Sequence, residues 1–277
     1  MTQTNKLSEK TILITGASDG IGRETARILA AKGARLILHG RNPEKLGQVI
    51  AQIREESGND KLVPVLADFS SLEEVRRMGV TLLQSEKRLD VLINNAGLMT
   101  SRHQQSVDGY ELTFAVNYLA PFLLTNLLRP LLTGSAPARV VNLSSIGHYL
   151  VSPQLKGLPN PKLYWGWVAY CRSKGYLILF TRALAERTHK DGVTVNCVHP
   201  GVITSTKLIG WSWLKAVDLH EGAEAVVNLA INPQVEQVTG QYFSRKRLAK
   251  PRAEYRDPRR QAALWDLSLG WCQLKPE

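Results

Sequence analysis

The sequence predicts a doubly wound α/β fold, in which helices cover both faces of a parallel sheet of about seven strands. Three observations lead to this prediction. Short runs rich in Val, Ile and Leu alternate with longer helical patterns along all 277 residues. Such apolar runs are typical of parallel strands that are buried on both faces. No repeat, linker or shift in composition divides the chain, so we predict a single domain over residues 1–277.

The predicted elements alternate in order along the chain. Seven apolar runs are predicted to be strands, at residues 11–15, 35–39, 62–67, 89–97, 139–145, 193–201 and 240–243. Helical patterns lie between them, at residues 21–34, 43–57, 72–88, 109–132, 168–189 and 221–231. Helices of this length suit the crossover from one parallel strand to the next.

The positive charge of the chain is concentrated near its C-terminus. The formal net charge is +11, and residues 244–260 hold eight Lys or Arg against two Asp or Glu, which makes six of those eleven charges. We interpret this segment as a solvated surface, with contact to an acidic partner or a membrane surface as the alternative. Because the rest is only mildly basic and shows no nucleic-acid-binding pattern, we predict no nucleic-acid partner.

Composition also bears on compartment and metals. No apolar run reaches the about 18–20 residues that cross a bilayer, and the polar start lacks a secretory signal, so we expect a cytoplasmic protein. Cys171, Cys197 and Cys272 lie too far apart for a disulfide framework or a zinc pattern. We predict no metal site, because the histidines lack ligand spacing and each is expected to be structural or exposed: His39, His103, His148, His189, His199 and His220.

Three glycines follow the first strand directly, at Gly16, Gly20 and Gly22 of TGASDGIGRETA. Glycine permits a tight turn and a close approach of the backbone to a pyrophosphate. The helix that begins here offers free N–H groups and the positive end of its dipole. Because the loop has a strand before it and a helix after it, we predict a dinucleotide site.

The second strand ends in LILHGRN, which bears on the choice of cofactor. Gly40 stands where an NAD-binding acid is expected, and Arg41 follows it. A guanidinium can hold a 2′-phosphate through two hydrogen bonds, so we predict NADP(H). Asp19 in the glycine loop opposes this reading, since some NADP-binding proteins carry a basic residue there, and the affinity should then rest largely on Arg41.

The glycine loop is one of several motifs that resemble the short-chain dehydrogenase/reductase family, over nearly the whole chain. The others are NNAG at 94–97, Asn117, SS at 144–145, Tyr170-x-x-x-Lys174 and PG at 200–201. The resemblance implies a Rossmann fold and an NADP-dependent oxidoreductase (EC 1.1.1.-) acting on a small-molecule alcohol/carbonyl pair. It also implies a homodimer or homotetramer built through the long helices at 109–132 and 168–189.

The resemblance assigns four catalytic residues. Tyr170 would be the general acid/base, and Ser145 would hold the substrate oxygen. Lys174, one helical turn from Tyr170, would lower the pKa of the phenol through its charge and bind the nicotinamide ribose. Asn117 would support a proton relay. Ser144, one residue before Ser145, should point to the opposite face of its strand.

The resemblance also assigns the cofactor contacts. Within NNAG, Asn94 and Gly97 are expected on the adenine-ribose side, and Asp68 is expected to contact the adenine. Asp68 could instead cap the next helix, a role that Ser70 or Ser71 could equally fill. The full predicted cofactor set is Gly16, Ser18, Asp19, Gly20, Ile21, Gly22, Arg41, Asn42, Asp68, Phe69, Asn95, Ala96, Gly97, Tyr170, Lys174, Pro200, Gly201, Val202 and Thr204.

The 24 residues between Ser145 and Tyr170 resemble the insert of the retinol dehydrogenase-like branch, including its WW-domain oxidoreductase-like members. That likeness implies a lipophilic aldehyde, ketone, retinoid or steroid as substrate. Aromatic residues of this insert and of a substrate lid at about 202–220 would line the pocket or pack the loops onto the body: Tyr164, Trp165, Trp167, Trp211 and Trp213. In the C-terminal extension, 244–277, a helix with Trp265 and Trp271 would lie at a subunit interface or over the pocket.

Two other functions remain open. A non-catalytic NADPH-binding sensor or scaffold is the main alternative, although relatives of that kind usually lose the Tyr, Lys or Ser that this chain keeps. An extended-family epimerase or dehydratase would need T-G-x-x-G-x-x-G and a larger C-terminal domain, and the sequence has neither.

Overall fold

A computed structural model of the chain describes residues 7–161, 163–202 and 217–275. The predicted sheet is present and has eight strands in the order β3-β2-β1-β4-β5-β6-β7-β8. The strands are β1 Thr11–Ile14, β2 Arg35–Gly40, β3 Leu62–Leu66, β4 Val91–Asn94, β5 Ala138–Leu143, β6 Val193–His199, β7 Tyr242–Ser244 and β8 Arg247–Ala249. All pairs are parallel except the last, β7 with β8.

The eighth strand lies inside the basic segment, where the sequence predicted only a solvated surface. Arg245 has a φ of 55° at the turn that reverses the chain from β7 into β8. The side chains of Arg247 and Leu248 are exposed, as charged edge strands commonly are. A three-residue strand without a buried face carries no hydrophobic pattern, which is why sequence reasoning missed it.

Helices cover both faces of the sheet, as predicted. The helices are α1 Gly20–Ala31, α2 Pro43–Ser57, α3 Leu72–Ser85, α4 Leu112–Phe114, α5 Ala120–Gly134, α6 Gly166–Thr188, α7 Leu219–Ile231 and α8 Pro258–Trp271. A π-helical turn, Ala115–Leu119, joins α4 to α5. Within the described ranges, no helix is long and apolar enough to cross a membrane.

Two apolar clusters hold the layers together, one on each face of the sheet. Alternate residues of β1 belong to opposite clusters, since Ile12 and Ile14 pack with α1, α2 and α7, whereas Leu13 packs with α3, α5 and α6. This is the period of two expected of a strand buried on both faces. In the strand order, the direction of winding reverses between β1 and β4, and a ligand cleft is expected at this point.

The C-terminal helix, α8, packs on the outside of α5 and α6. Its Trp265 is buried, with its ring centroid 5.1 Å from that of Phe122 and 6.0 Å from that of Phe180. Trp271 meets Phe114 edge to face at 5.5 Å. The two tryptophans thus belong to the core, and neither lines the cleft described below. The surface predicted for a subunit interface is partly covered by α8 of the same chain.

Candidate active site

A cleft of about 1210 Å³ opens where β1, β4, β5 and β6 end. It is larger than the roughly 300–1,000 Å³ of a typical ligand pocket, which leaves room for a dinucleotide and a second molecule. Sixteen of the predicted cofactor residues line it: Gly16, Ser18, Asp19, Gly20, Ile21, Arg41, Asp68, Phe69, Asn95, Ala96, Gly97, Tyr170, Lys174, Pro200, Gly201 and Val202. Gly22 and Asn42 do not line it, and Thr204 lies outside the described residues.

The glycine loop forms one end of this cleft and fits a bound dinucleotide. Gly16 has a φ of +66°, and a Cβ there would lie 2.8 Å from Ala96 Cα, so only glycine suits the position. Gly22 lies behind the loop, where a Cβ would come within 2.3 Å of Gly16 O. Glycine at position 22 therefore lets α1 pack closely against the loop that its N-terminus faces.

Asp19 of the loop is bonded to residues of both α1 and α2. Its carboxylate accepts from Gly20 N at 2.8 Å, which caps α1, and it pairs with Lys45 Nζ at 2.6 Å. Asn42 caps α2 by accepting from Lys45 N at 2.8 Å. Sequence reasoning missed Lys45, which offsets the negative charge of Asp19 and places a second cation in the first turn of the helix that follows Arg41. Its spacing from Arg41, four residues, was the available signal.

His39, expected to be structural or exposed, is structural and directly supports the cleft. Its Nδ1 accepts from Gly16 N at 3.2 Å, and its Nε2 bonds to Ala67 O at 3.0 Å. The ring stacks on Phe69 at 4.2 Å. Burial lowers the pKa of His39 to about 4, so at neutral pH the ring is uncharged and Nδ1 is free to accept.

Asp68, which follows β3, was predicted either to contact the adenine or to cap the next helix. Ser71, rather than Asp68, caps α3 by accepting from Glu74 N at 3.4 Å. The Asp68 carboxylate accepts from Ser70 N at 2.8 Å and faces the cleft. This arrangement leaves Asp68 available to a ligand at the Arg41 end.

The NNAG motif divides into structural and cleft-lining parts. Asn94 was expected on the adenine-ribose side, but it is buried, and its Nδ2 donates to Asn142 Oδ1 at 2.8 Å. Asn95 Nδ2 donates to Gly16 O at 3.0 Å and so ties the motif to the glycine loop. At Gly97 a Cβ would lie 3.1 Å from Lys174 Nζ, so glycine lets the chain pass close to the lysine.

Ser145 and Tyr170 meet at the other end of the cleft. Ser145 Oγ accepts from Gly147 N at 3.2 Å, and the Tyr170 side chain lies near it. Although the Tyr170 ring is partly exposed to the cleft, desolvation raises its pKa to about 12, and the nearby Ser145 hydroxyl acts in the opposite direction. Ser144 is buried, donates to Lys174 O at 2.8 Å and, like Ser145, borders the cleft.

Lys174 is buried one turn beyond Tyr170. Its Nζ donates to Leu143 O at 2.9 Å and lies 5.9 Å from the centroid of the Tyr170 ring. Burial lowers the pKa of Lys174 to about 8. Desolvation therefore shifts the pKa of Tyr170 in the direction opposite to the predicted one.

Asn117 lies in the π-helical turn, behind the cleft rather than on its surface. Its Oδ1 accepts from Leu98 N at 2.8 Å, and its Nδ2 donates to Leu98 O at 2.9 Å and to Ser173 Oγ at 3.0 Å. These bonds tie the loop after β4 to α6. Turns of this type often occur at functional sites, because the extra residue re-aims a side chain.

Two further residues near Ser145 were not assigned to the site from the sequence. His148 is fully buried, and its Nδ1 lies 2.7 Å from Ser145 O, where it acts as the donor. Its Nε2 has no partner among the described residues, and burial lowers its pKa to about 4. Cys171 also lines the cleft, and it packs so tightly on Gly147 that a Cβ on Gly147 would lie 2.4 Å from the Cys171 sulfur.

The aromatic residues of the insert have different places. Trp167 lines the cleft, whereas Tyr164 bonds Thr100 and Thr113 and so packs the insert onto the loop after β4. Trp165 is 73% exposed and does not line the cleft. The other two aromatics of the prediction, Trp211 and Trp213, lie outside the described residues. Among the described residues, no cluster of His, Cys, Asp or Glu could hold a metal ion.

The chain is similar in sequence and in structure to known dehydrogenases. The family model for short chain dehydrogenases matches residues 10–212. Retinol dehydrogenase 11 of Homo sapiens is 37% identical, over 99% of this chain and 88% of its own length. Retinol dehydrogenase 12 of Bos taurus is 39% identical, over 97% and 87%. The structure of a short chain dehydrogenase from Shigella flexneri 2a, complexed with NADP, is 28% identical with a TM-score of 0.70, over 88% of this chain and 100% of that one.

Proposed function

Because the chain belongs to the short chain dehydrogenase family, we propose that it is an NADP(H)-dependent oxidoreductase acting on a lipophilic alcohol and its carbonyl compound. One observation carries this proposal. Ser145, Tyr170 and Lys174 converge at one end of a single cleft whose other end holds the glycine loop and Arg41. The dehydrogenase names of the curated relatives and the NADP complex of the Shigella protein support it.

The cleft fits the expected cofactor. The glycine loop and the start of α1 would hold the pyrophosphate, and Lys174 would bind the ribose next to the nicotinamide. Arg41 would hold the 2′-phosphate, with Lys45 beside it and partly engaged by Asp19. A nicotinamide dinucleotide supplies the hydride when bound.

Side chains of the protein would supply the proton that the carbonyl oxygen of the substrate receives. Ser145 Oγ would donate a hydrogen bond to the carbonyl oxygen and hold it beside Tyr170. With a pKa of about 12, Tyr170 keeps its proton at neutral pH and can donate it as the oxygen gains negative charge. The positive charge of Lys174 would stabilise the phenolate that remains, and Asn117 would connect the lysine to a proton relay.

An apolar wall favours a lipophilic substrate. The residues that line the cleft include several apolar side chains outside the glycine loop, among them Met99, Val116, Ile146, Leu150 and Trp167. Apolar walls with few polar groups are typical of pockets for apolar ligands. We therefore place retinoids, steroids and long-chain aldehydes or ketones in the expected substrate class.

The test is Tyr170→Phe, assayed by NADPH absorbance with a panel of aldehydes, steroids and retinoids and by NADPH fluorescence titration. We expect turnover to fall by at least about 10³-fold while NADPH binding changes little, because only the proton donor is lost. Retained turnover would refute the role of Tyr170. A wild-type protein that binds NADPH but reduces no member of the panel would instead favour the sensor or scaffold.

A further inference from the structure

The basic segment 244–260 lies directly against residues 146–155, which follow Ser145 and form the substrate loop. We propose that this segment is a strap that positions the substrate loop and thereby determines which carbonyl compounds the cleft accepts. Ile146, Tyr149 and Leu150 of the loop line the cleft, so a shift of the loop would move the wall that a substrate touches.

The strap donates hydrogen bonds to backbone carbonyls of the loop. The donor–acceptor pairs are Arg252 Nη1 to Tyr149 O at 3.3 Å, Tyr255 Oη to Val151 O at 3.1 Å and Arg260 Nη1 to Pro153 O at 3.0 Å. The acceptors belong to every second residue, from Tyr149 near the end of a 3₁₀ helix, Ile146–Leu150, to Val151, whose backbone is extended, and on to Pro153. In return, Tyr149 Oη donates to Lys250 O, and Ser152 Oγ to Glu254 at 3.4 Å.

The donors of the strap are themselves held in place. Tyr255 is fully buried and packs so closely on α6 that a Cβ at Gly175 would lie 2.3 Å from its ring. Arg252 pairs with Glu254 at 2.9 Å, and Arg260 with Asp257 at 3.4 Å. Because Tyr255 is locked in the core and each arginine has a carboxylate beside it, the strap can hold the loop in one position.

Two further cations of the strap are also paired within the chain. Arg245 pairs with Glu221 at 2.9 Å, and Lys246 with Glu224 at 2.6 Å, both on the first turns of α7. Four of the eight cations of the segment are therefore engaged with carboxylates of this protein. This arrangement favours an internal strap over the acidic partner or membrane surface that the charge alone suggested.

The double variant Arg252→Ala/Arg260→Ala tests the strap in the full-length protein. The matched control is Arg256→Ala/Arg259→Ala, which removes the same charge from the same segment, where both side chains are exposed and make no bond to the loop in the described structure. By hydrogen exchange, we expect the amides of 146–155 to exchange about tenfold faster in the double variant and to be unchanged in the control.

The kinetic part of the test rests on the proposed function, and the exchange part does not. With NADPH and the probes dodecanal and hexanal, we expect KM for dodecanal to rise about 5- to 10-fold in the double variant, because the loss of two hydrogen bonds lets the wall of the cleft shift. KM for NADPH should stay within about twofold, because the strap does not touch the glycine loop. Tyr255→Phe, which keeps the ring and loses one donor, should show the same pattern more weakly.

Three outcomes would refute the proposal that the strap positions the substrate loop. They are unchanged exchange in the double variant, an equal effect in the control, and equal increases in KM for dodecanal, hexanal and NADPH. If the exchange result holds and the wild type reduces no member of the panel of aldehydes, steroids and retinoids with NADPH, the proposed function is contradicted while the positioning of the loop stands.

Discussion

Three buried histidines should make the protein sensitive to mild acid. His39, His148 and His199 are at most 6% exposed, and burial lowers the pKa of each to about 4. In the unfolded chain each ring has an ordinary pKa of about 6.5. Between these two values the unfolded state binds protons that the native state does not, so stability is complete above pH 6.5 and falls as the pH is lowered.

The size of the loss in stability follows from the difference between the native and unfolded pKa values of the histidines. At pH 5.5, one pH unit below the pKa of the unfolded ring, each histidine costs about 1.4 kcal/mol, so the three together cost about 4 kcal/mol. This is a large fraction of the roughly 5–15 kcal/mol by which domains are stable. Carboxylates contribute mainly below this range, so the interval from pH 7.5 to 5.5 isolates the histidines.

The perturbation is His39→Phe, which keeps an aromatic ring against Phe69 but removes the proton-binding site. Urea unfolding followed by tryptophan fluorescence gives the free energy of unfolding at each pH. We expect the variant to be less stable at pH 7.5 by about 1–3 kcal/mol, because Gly16 N and Ala67 O lose their partner. The loss between pH 7.5 and 5.5 should shrink from about 4 to about 3 kcal/mol.

His189→Gln, which removes an exposed ring, is the control and should leave the pH dependence as in the wild type. If His39→Phe lost as much stability over this interval as the wild type, His39 could not be the buried neutral base described above. If the wild type lost less than about 1 kcal/mol of unfolding free energy between pH 7.5 and 5.5, the lowered pKa values of all three histidines would be contradicted.

The other predictions concern the cleft. Arg41→Asp should shift preference from NADPH to NADH by at least about tenfold in kcat/KM, and Lys45→Ala should weaken NADPH more than NADH; an unchanged ratio would mean that neither residue reads the 2′-phosphate. Gly16→Ala should cost about 2 kcal/mol or more and weaken NADPH binding, since its Cβ would meet Ala96; wild-type stability by urea unfolding would contradict the strain. Activity should fall as the pH rises through about 8, where Lys174 loses its charge, and a profile flat to pH 10 would contradict that assignment.

Much of the cleft could be predicted from the sequence because its residues follow strands of a parallel sheet. Such strands end at one edge, so the residues after β1, β4, β5 and β6 had to meet there. The prediction was weaker where a side chain could face either way. Asn94 lies in the core and Cys171 in the cleft, since a spacing along the chain does not say which neighbour fills which space.

The sequence by itself determined the layers of helix and sheet, the glycine loop, and the predicted catalytic residues Asn117, Ser145 and Lys174 that accompany Tyr170. Each of these depends on a local period or a motif. Only the tertiary structure decided the contacts between distant positions. Lys45 pairs with Asp19 across 26 residues, and Arg260 reaches Pro153 across 107. Lysines and arginines on exposed segments all look alike in a sequence, and only packing brings one of them within hydrogen-bond reach of a particular carboxylate or carbonyl.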